Sequence, residues 1–267
     1  MVNADRKKII QRYYAVRSKD YDKQKSRTWK SDKGFGTGVL SELLGAFASF
    51  DGKLLEIGVG SGRNAKPLLE KVKLQLIGLD LTKEMVLTAK NKLLGHRKCV
   101  DLVVADAEHL PFKTTVFDGI LCISTMHYFE HPEDTLKNAS QVLKNEGTFF
   151  YGDLSPCESD DQEFFERLER TISKAHFRYH KPSEMEHLFD HNGFKVTKLK
   201  SISYRKSYES LIEDKADYFG IEPERIYRYI KQANPEAKNQ YELTQTELTQ
   251  FYTIIVAVKK ESKLQNA

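Results

Sequence analysis

Five short apolar runs, at residues 54–57, 74–79, 100–104, 117–123 and 148–151, alternate with segments whose apolar residues recur at helical spacing. No other feature limits the fold so tightly. A period of two belongs to a strand and a period near 3.6 to a helix, so the alternation predicts βαβ units around a parallel sheet. The helix boundaries point the same way. Thr82 stands at the N-cap position of "KEMVLTAKNKLLG", with Gly95 beyond the end, and Pro132 opens "PEDTLKNASQVLKNEG", with Gly147 beyond the end.

After Tyr151 the rhythm changes. A polar helix is expected over "DDQEFFERLERTISKAHF", and a second over "KPSEMEHLFDHNGF", with Pro182 at its start and Gly193 at its end. Strands are expected at 194–203 and 253–258. The roughly 45 residues between them are too many for a plain loop and predict a helical insertion over 204–248, a lid or partner surface. At 267 residues, 40% of them hydrophobic, the chain can build one large core or a core with a satellite. Its net charge of +4 comes from dispersed residues without a polybasic block, so nucleic acid is permitted but not indicated. Cys99, Cys122 and Cys157 lack CxxC spacing, so no metal site or disulfide framework is expected. The charged N-terminus and the absence of a long apolar run predict a soluble cytoplasmic protein without a membrane segment.

The loop in "KLLEIGVGSGRN" sits between the first strand and the first crossover helix, at the carboxyl edge where open α/β sheets bind ligands. Glycine there lets the backbone adopt positive φ and lets a ligand approach main-chain N–H groups. The dinucleotide pattern GxGxxG would need glycine at 63, but Gly58, Gly60 and Gly62 are followed by Arg63. With Glu56 just before the loop, this spacing favours a ligand without a pyrophosphate. Asp80 ends the second strand, where a carboxylate can accept from both hydroxyls of a ribose, and Asp106 ends the third, where it can accept from an adenine amino group. A fourth element, "FDGILCISTMHYFEHPEDTL", ends its strand in a polar loop with aromatic residues.

Taken in order, "LLEIGVGSGRN", "GLD", "ADAEHLPF", "FDGILCISTMHYFEHPEDTL" and "LKNEGTFFYGD" resemble the motifs of the class I S-adenosylmethionine-dependent methyltransferases, type-11 branch. The resemblance covers residues 34–155 and, more loosely, "HKPSEMEHLFDHNGFKVTKL". It implies an α/β fold, a doubly wound, Rossmann-like seven-stranded sheet in the order 3-2-1-4-5-7-6 with strand 7 antiparallel. It also implies S-adenosylmethionine as cofactor, with S-adenosylhomocysteine as product. By motif position, Glu56, Gly58 and Gly60 would line the methionine and ribose part. Asp80, followed by Leu81, would take the ribose hydroxyls, Asp106 and Ala107 would read adenine, and Ile123 would pass near the methionine. The division implied is a helical lid over 1–33, a core over 34–203 and 249–260, and a cap over 204–248.

"QRYYAVRSKDYDKQ" resembles the entry helix that covers the cofactor in this family. Tyr13, Tyr14 and Tyr21 either face the sulfonium, which ring faces attract, or form the buried stripe of an amphipathic helix. Trp29 is a lid anchor or a substrate wall. His127 in "STMHYF" is the candidate base, or else a positioning residue, and Asp153 is a second candidate polar contact. His176, His180, His187 and His191 read as surface or helix-face residues, without a metal-binding pattern. Lys195, Lys198, Lys200, Arg205 and Lys206 either favour an anionic substrate or form a solvated face. Three functions stay open: a small-molecule methyltransferase, an RNA- or protein-directed methyltransferase on the same core, and a cofactor-binding partner without catalysis. The absence of an NPPY-type tetrapeptide after strand 4 favours the first.

Overall fold

The computed structural model describes residues 2–22, 35–213 and 215–261. Trp29, and with it part of the expected lid, lies outside the described residues. Seven strands form a single sheet: β1 (Asp51–Ile57), β2 (Lys73–Asp80), β3 (Val100–Val104), β4 (Phe117–Ile123), β5 (Leu143–Ser155), β6 (Phe194–Ser207) and β7 (Glu247–Lys259). Their order is β3-β2-β1-β4-β5-β7-β6. The first five run parallel, and β7 is antiparallel to both neighbours. This is the doubly wound α/β sheet that the resemblance implies.

Alternation along each strand divides the core in two. Leu55, Ile57, Ile120, Cys122, Phe149 and Tyr151 pack toward α5 (Pro132–Val142) and α7 (Pro182–His191). Their neighbours Leu54, Leu121, Ile123 and Phe150 pack toward α2 (Phe35–Ala46) and α3 (Ala65–Lys71). Strands covered on both faces read as near-continuous apolar runs, which is why β1 and β4 are legible in the sequence.

Several boundaries differ from the sequence reading. The Thr82 side chain does not cap α4 (Lys83–Lys92); its hydroxyl is buried without a partner, and its N–H donates to Asp80 at 2.8 Å. The helix opened by Pro132 stops at Val142, and Gly147 instead serves an irregularity at the start of β5. Register shifts there against β4, and a Cβ on Gly147 would lie 2.7 Å from the Leu143 side chain. The polar helix shortens to α6 (Phe164–Ile172), because the Asp160 carboxylate accepts the first N–H groups, those of Phe164 and Phe165, at 2.9 and 3.0 Å.

The helical part of the insertion is narrower than 204–248. β6 continues to Ser207, with Tyr204 opposite Gln250, and β7 begins at Glu247. Between them lie α8 (Tyr208–Glu213), α9 (Ala216–Phe219), α10 (Pro223–Lys231) and α11 (Pro235–Gln240). Of these, α8, α10 and α11 pack with α6 around Phe165, Leu168, Ile226 and Tyr241. At the N-terminus, α1 (Val2–Arg17) joins the insertion through Tyr13, whose ring stacks on Phe219 at 5.0 Å. No helix among the described residues is long and apolar enough to cross a membrane.

Candidate active site

The carboxyl ends of β1 to β4 open into a cleft walled by the loops that follow them. Its floor is the loop after β1. Gly58 and Gly60 hold φ of +74° and +53°, in the left-handed region that suits glycine. A Cβ on Gly58 would overlap the Thr125 side chain. The Gly58 and Val59 N–H groups donate to the Leu79 carbonyl at 2.8 and 2.9 Å, tying the loop to the end of β2.

Asp80 locks this corner. One carboxylate oxygen accepts from the Gly60 N–H at 2.9 Å and the other from the Thr82 N–H at 2.8 Å. Burial raises its pKa, and those two N–H groups oppose the rise. Asp106 holds the next corner, accepting from the Glu108 N–H at 3.0 Å and from Lys7 Nζ at 2.5 Å. Burial pushes its carboxyl up, but Lys7 and the Glu108 N–H outweigh it and leave the pKa below the usual range. Leu81, Ala107 and Ile123 complete these walls.

The helix α1 crosses the mouth and is fixed to four loops in turn. Lys7 bonds Asp106 and pairs with Glu108 after β3, and Gln11 Nε2 donates to the Leu81 carbonyl after β2 at 3.1 Å. The Tyr14 and Tyr128 hydroxyls share a hydrogen bond of 2.6 Å, reaching the loop after β4. Just beyond the helix, Asp22 accepts from Ser61 in the glycine loop at 2.7 Å and pairs with Lys92. The alternatives for the tyrosines divide between residues: Tyr14 and Tyr21 line the cleft, whereas Tyr13 is buried against Tyr218 and Phe219.

Two expected residues do not line the cleft. Glu56 is wholly buried behind Asn64, which stands in the wall and donates to Glu56 Oε1 at 3.5 Å; Glu56 Oε2 has no partner. Burial raises its carboxyl pKa to about 8 against the pull of Asn64 and Arg63. His127 lies behind Tyr128, ring centroids 4.0 Å apart, with Nδ1 at 3.0 and 2.9 Å from the two Asp153 oxygens. It turns away because Asp153, at the end of β5, offers a buried carboxylate. His176 is buried rather than at the surface, with Nε2 at 3.0 Å from Glu166. His187 and His191 stack at 3.7 Å, and among the described residues no group of three or more His, Cys, Asp or Glu is arranged for a metal.

Lys7 and Gln11 carry no motif, Tyr128 sits unsingled within "FDGILCISTMHYFEHPEDTL", and the sequence reading misses the part all three play in the cleft. The nearest signal is the residue spacing of α1, where positions 7, 11 and 14 share a face. Some basic residues of β6 are paired: Lys198 and Lys200 share Glu42, and Arg205 pairs with Glu247 and Glu242.

Residues 55–151, which include this glycine loop and the ends of β2 to β4, match the family model described as "Methyltransferase domain". Over these residues the chain is similar to a methyltransferase domain, the class that its motifs resemble. It is 29% identical over 196 residues to the uncharacterized methyltransferase YcgJ of Bacillus subtilis, covering 72% of this chain and 76% of that one. The crystal structure of YcgJ superposes with a TM-score of 0.72 and 25% identity, over 85% of this chain and all of the other. A methyltransferase-like structure from Bacillus halodurans C-125 shares the fold at a TM-score of 0.75 and 23% identity, covering 83% and 99% of the two chains. The uncharacterized protein MJ1123 of Methanocaldococcus jannaschii is 37% identical over 101 residues, 38% of this chain and 44% of its own length.

Proposed function

We propose that the protein binds S-adenosylmethionine in this cleft and transfers its methyl group to a small-molecule acceptor. The observation that carries the reading is the convergence of Asp80, Asp106 and a positive-φ glycine loop in one cleft closed over by α1. The residues fit the cofactor. Asp80 spends one lone pair of each oxygen on a backbone N–H, which leaves acceptor capacity for two hydroxyls. Asp106 likewise keeps a free lone pair beside Lys7 and the Glu108 N–H for an amino donor.

When bound, the cofactor supplies a methyl group already activated on a sulfonium. The protein's part is to position the partners and keep water out. Tyr14, Tyr21 and Tyr128 offer ring faces and hydroxyls for that, and burial together with the neighbouring tyrosine rings holds the Tyr14 and Tyr128 hydroxyls protonated. A small acceptor is supported by the cover that α1 gives the mouth, because a folded macromolecule would need an open approach. The paired Lys198 and Lys200 of β6 point the same way, since RNA affinity rests on unpaired basic residues.

The test is transfer of label from methyl-labelled S-adenosylmethionine into a fractionated extract. Label in the small-molecule fraction is the expected outcome. Label confined to RNA or protein overturns the acceptor class and leaves the cofactor reading in place.

A further inference from the structure

Behind Tyr128, one ring's thickness from the cleft, lies a second polar cluster that the cofactor reading does not use. His127 and His176 face each other with ring centroids 5.8 Å apart, and Tyr179 packs against both at 4.7 and 4.4 Å. Each imidazole is held by its own carboxylate, His127 Nδ1 by Asp153 and His176 Nε2 by Glu166. The loop after β4 is strapped to this segment, since the Phe177 and Arg178 N–H groups both donate to the His127 carbonyl, at 3.0 and 3.2 Å.

The two carboxylates at the histidines are satisfied. Asp153 also accepts from the Leu154 N–H at 2.9 Å, and Glu166 from the Tyr179 N–H at 2.9 Å and Arg170 Nε at 2.8 Å. Two acceptors beside them are not. His176 Nδ1 and Glu169 Oε1 are buried with no hydrogen-bond partner, while Glu169 Oε2 accepts from Lys215 Nζ at 2.8 Å. Because His176 Nε2 carries the proton given to Glu166, Nδ1 of the neutral ring holds a lone pair. Burial and the His127 ring work to keep His176 neutral, against the pull of Glu166. Burial raises the Glu169 carboxyl pKa, but the charge of Lys215 and its hydrogen bond pull it below the usual range. An unmet acceptor in a dry site is costly, more so when charged, so both call for a donor.

The charge of the surroundings selects which donor. Asp153, Glu166 and Glu169 bring three carboxylates. Against them stand Lys215, 22% exposed at the edge nearest solvent, and Arg170, 57% exposed. The Tyr179 and Tyr128 rings add faces that attract a cation. We propose that this cluster anchors the methyl acceptor through a protonated primary or secondary amine that donates to the unmet acceptors His176 Nδ1 and Glu169 Oε1. The inference rests on the methyltransferase reading and names the acceptor's chemical class.

Full-length protein labelled with ¹⁵N-histidine tests it through the imidazole nitrogen spectrum. Methylammonium chloride is the probe. Tetramethylammonium chloride has the same charge without N–H donors, and sodium acetate is the anionic control. The expected result is a saturable shift of His176 Nδ1 with methylammonium alone, assigned by its loss in His176→Gln and weakened at least ~10-fold in Glu169→Gln, in line with a lost charge-assisted bond. No response, or an equal response to all three salts, means a buried water only and overturns the proposal. If Glu169→Gln does not fold, the contrast between methylammonium and tetramethylammonium on the unaltered protein decides alone. Calorimetry with S-adenosylmethionine on the same samples separates the two readings. Intact cofactor binding with a silent His176 sinks the amine site alone, whereas absent cofactor binding sinks the methyltransferase reading.

Discussion

Replacing Glu56 by Gln tests what the burial of this carboxyl does to the fold. Glu56 is fully buried, one oxygen has no partner, and the other has a single long bond to Asn64. Burial raises its pKa from 4.5 to about 8. Between those values the folded chain keeps a proton that the unfolded chain has released, so the folded state binds more protons and stability falls as pH rises through that window. At ~1.4 kcal/mol per pH unit the window caps the loss at roughly 5 kcal/mol, and relaxation of the surroundings reduces it toward ~2 kcal/mol. Gln keeps the shape and removes the ionisation. Thermal melts of both proteins from pH 5 to 8.5 are expected to show Glu56→Gln melting higher at pH 8 by ~2–4 °C per kcal/mol, with the gap closing near pH 5. A melting difference that does not change with pH, or a variant less stable at pH 8, refutes the reasoning.

Gly58→Ala puts a side chain at φ +74° and into Thr125, so cofactor affinity is expected to fall at least ~10-fold and stability by more than ~1 kcal/mol, read by calorimetry and melting. Affinity within a factor of two would show that the loop geometry is not what holds the ligand. Lys7→Met removes the tie between α1 and Asp106, and hydrogen exchange over residues 5–17 is expected to speed up in the cofactor-free protein. Unchanged exchange would assign the closure to the aromatic contacts alone. His127→Ala leaves Asp153 buried without its imidazole and is expected to destabilise by ~3 kcal/mol, with His127→Asn recovering part of it. A folded His127→Asn that loses ~100-fold in kcat with KM unchanged would instead make His127 a base.

The strands of the sheet centre were legible because Leu54, Leu55, Leu121 and Cys122 are buried on both faces and leave a continuous apolar signal. The ends of β6 and β7 were not. β6 carries a run of exposed residues at 197–201 and no clean alternation, so its extension to Ser207 is marked by pairing with β7 rather than by a pattern of its own. In the cleft, Asp80, Asp106 and the glycines were legible because their residue types at strand ends are informative by themselves. Lys7, Gln11 and Tyr128 were not, since their contacts join positions about 70 to 114 apart along the chain. His127 was visible as a polar residue after β4, but nothing local announced that Asp153, 26 positions on, would turn its ring away from the cleft.

Isothermal titration of the purified chain with S-adenosylmethionine, with NADH as the control ligand, tests the central claim most directly. Saturable one-to-one binding of S-adenosylmethionine is expected, weakened by Asp80→Ala by ~1.5–3 kcal/mol, the scale of hydrogen bonds to a charged group. NADH is expected to give no binding heat, because Arg63 stands where a pyrophosphate cradle needs glycine. Tight NADH binding together with no response to S-adenosylmethionine would contradict the account.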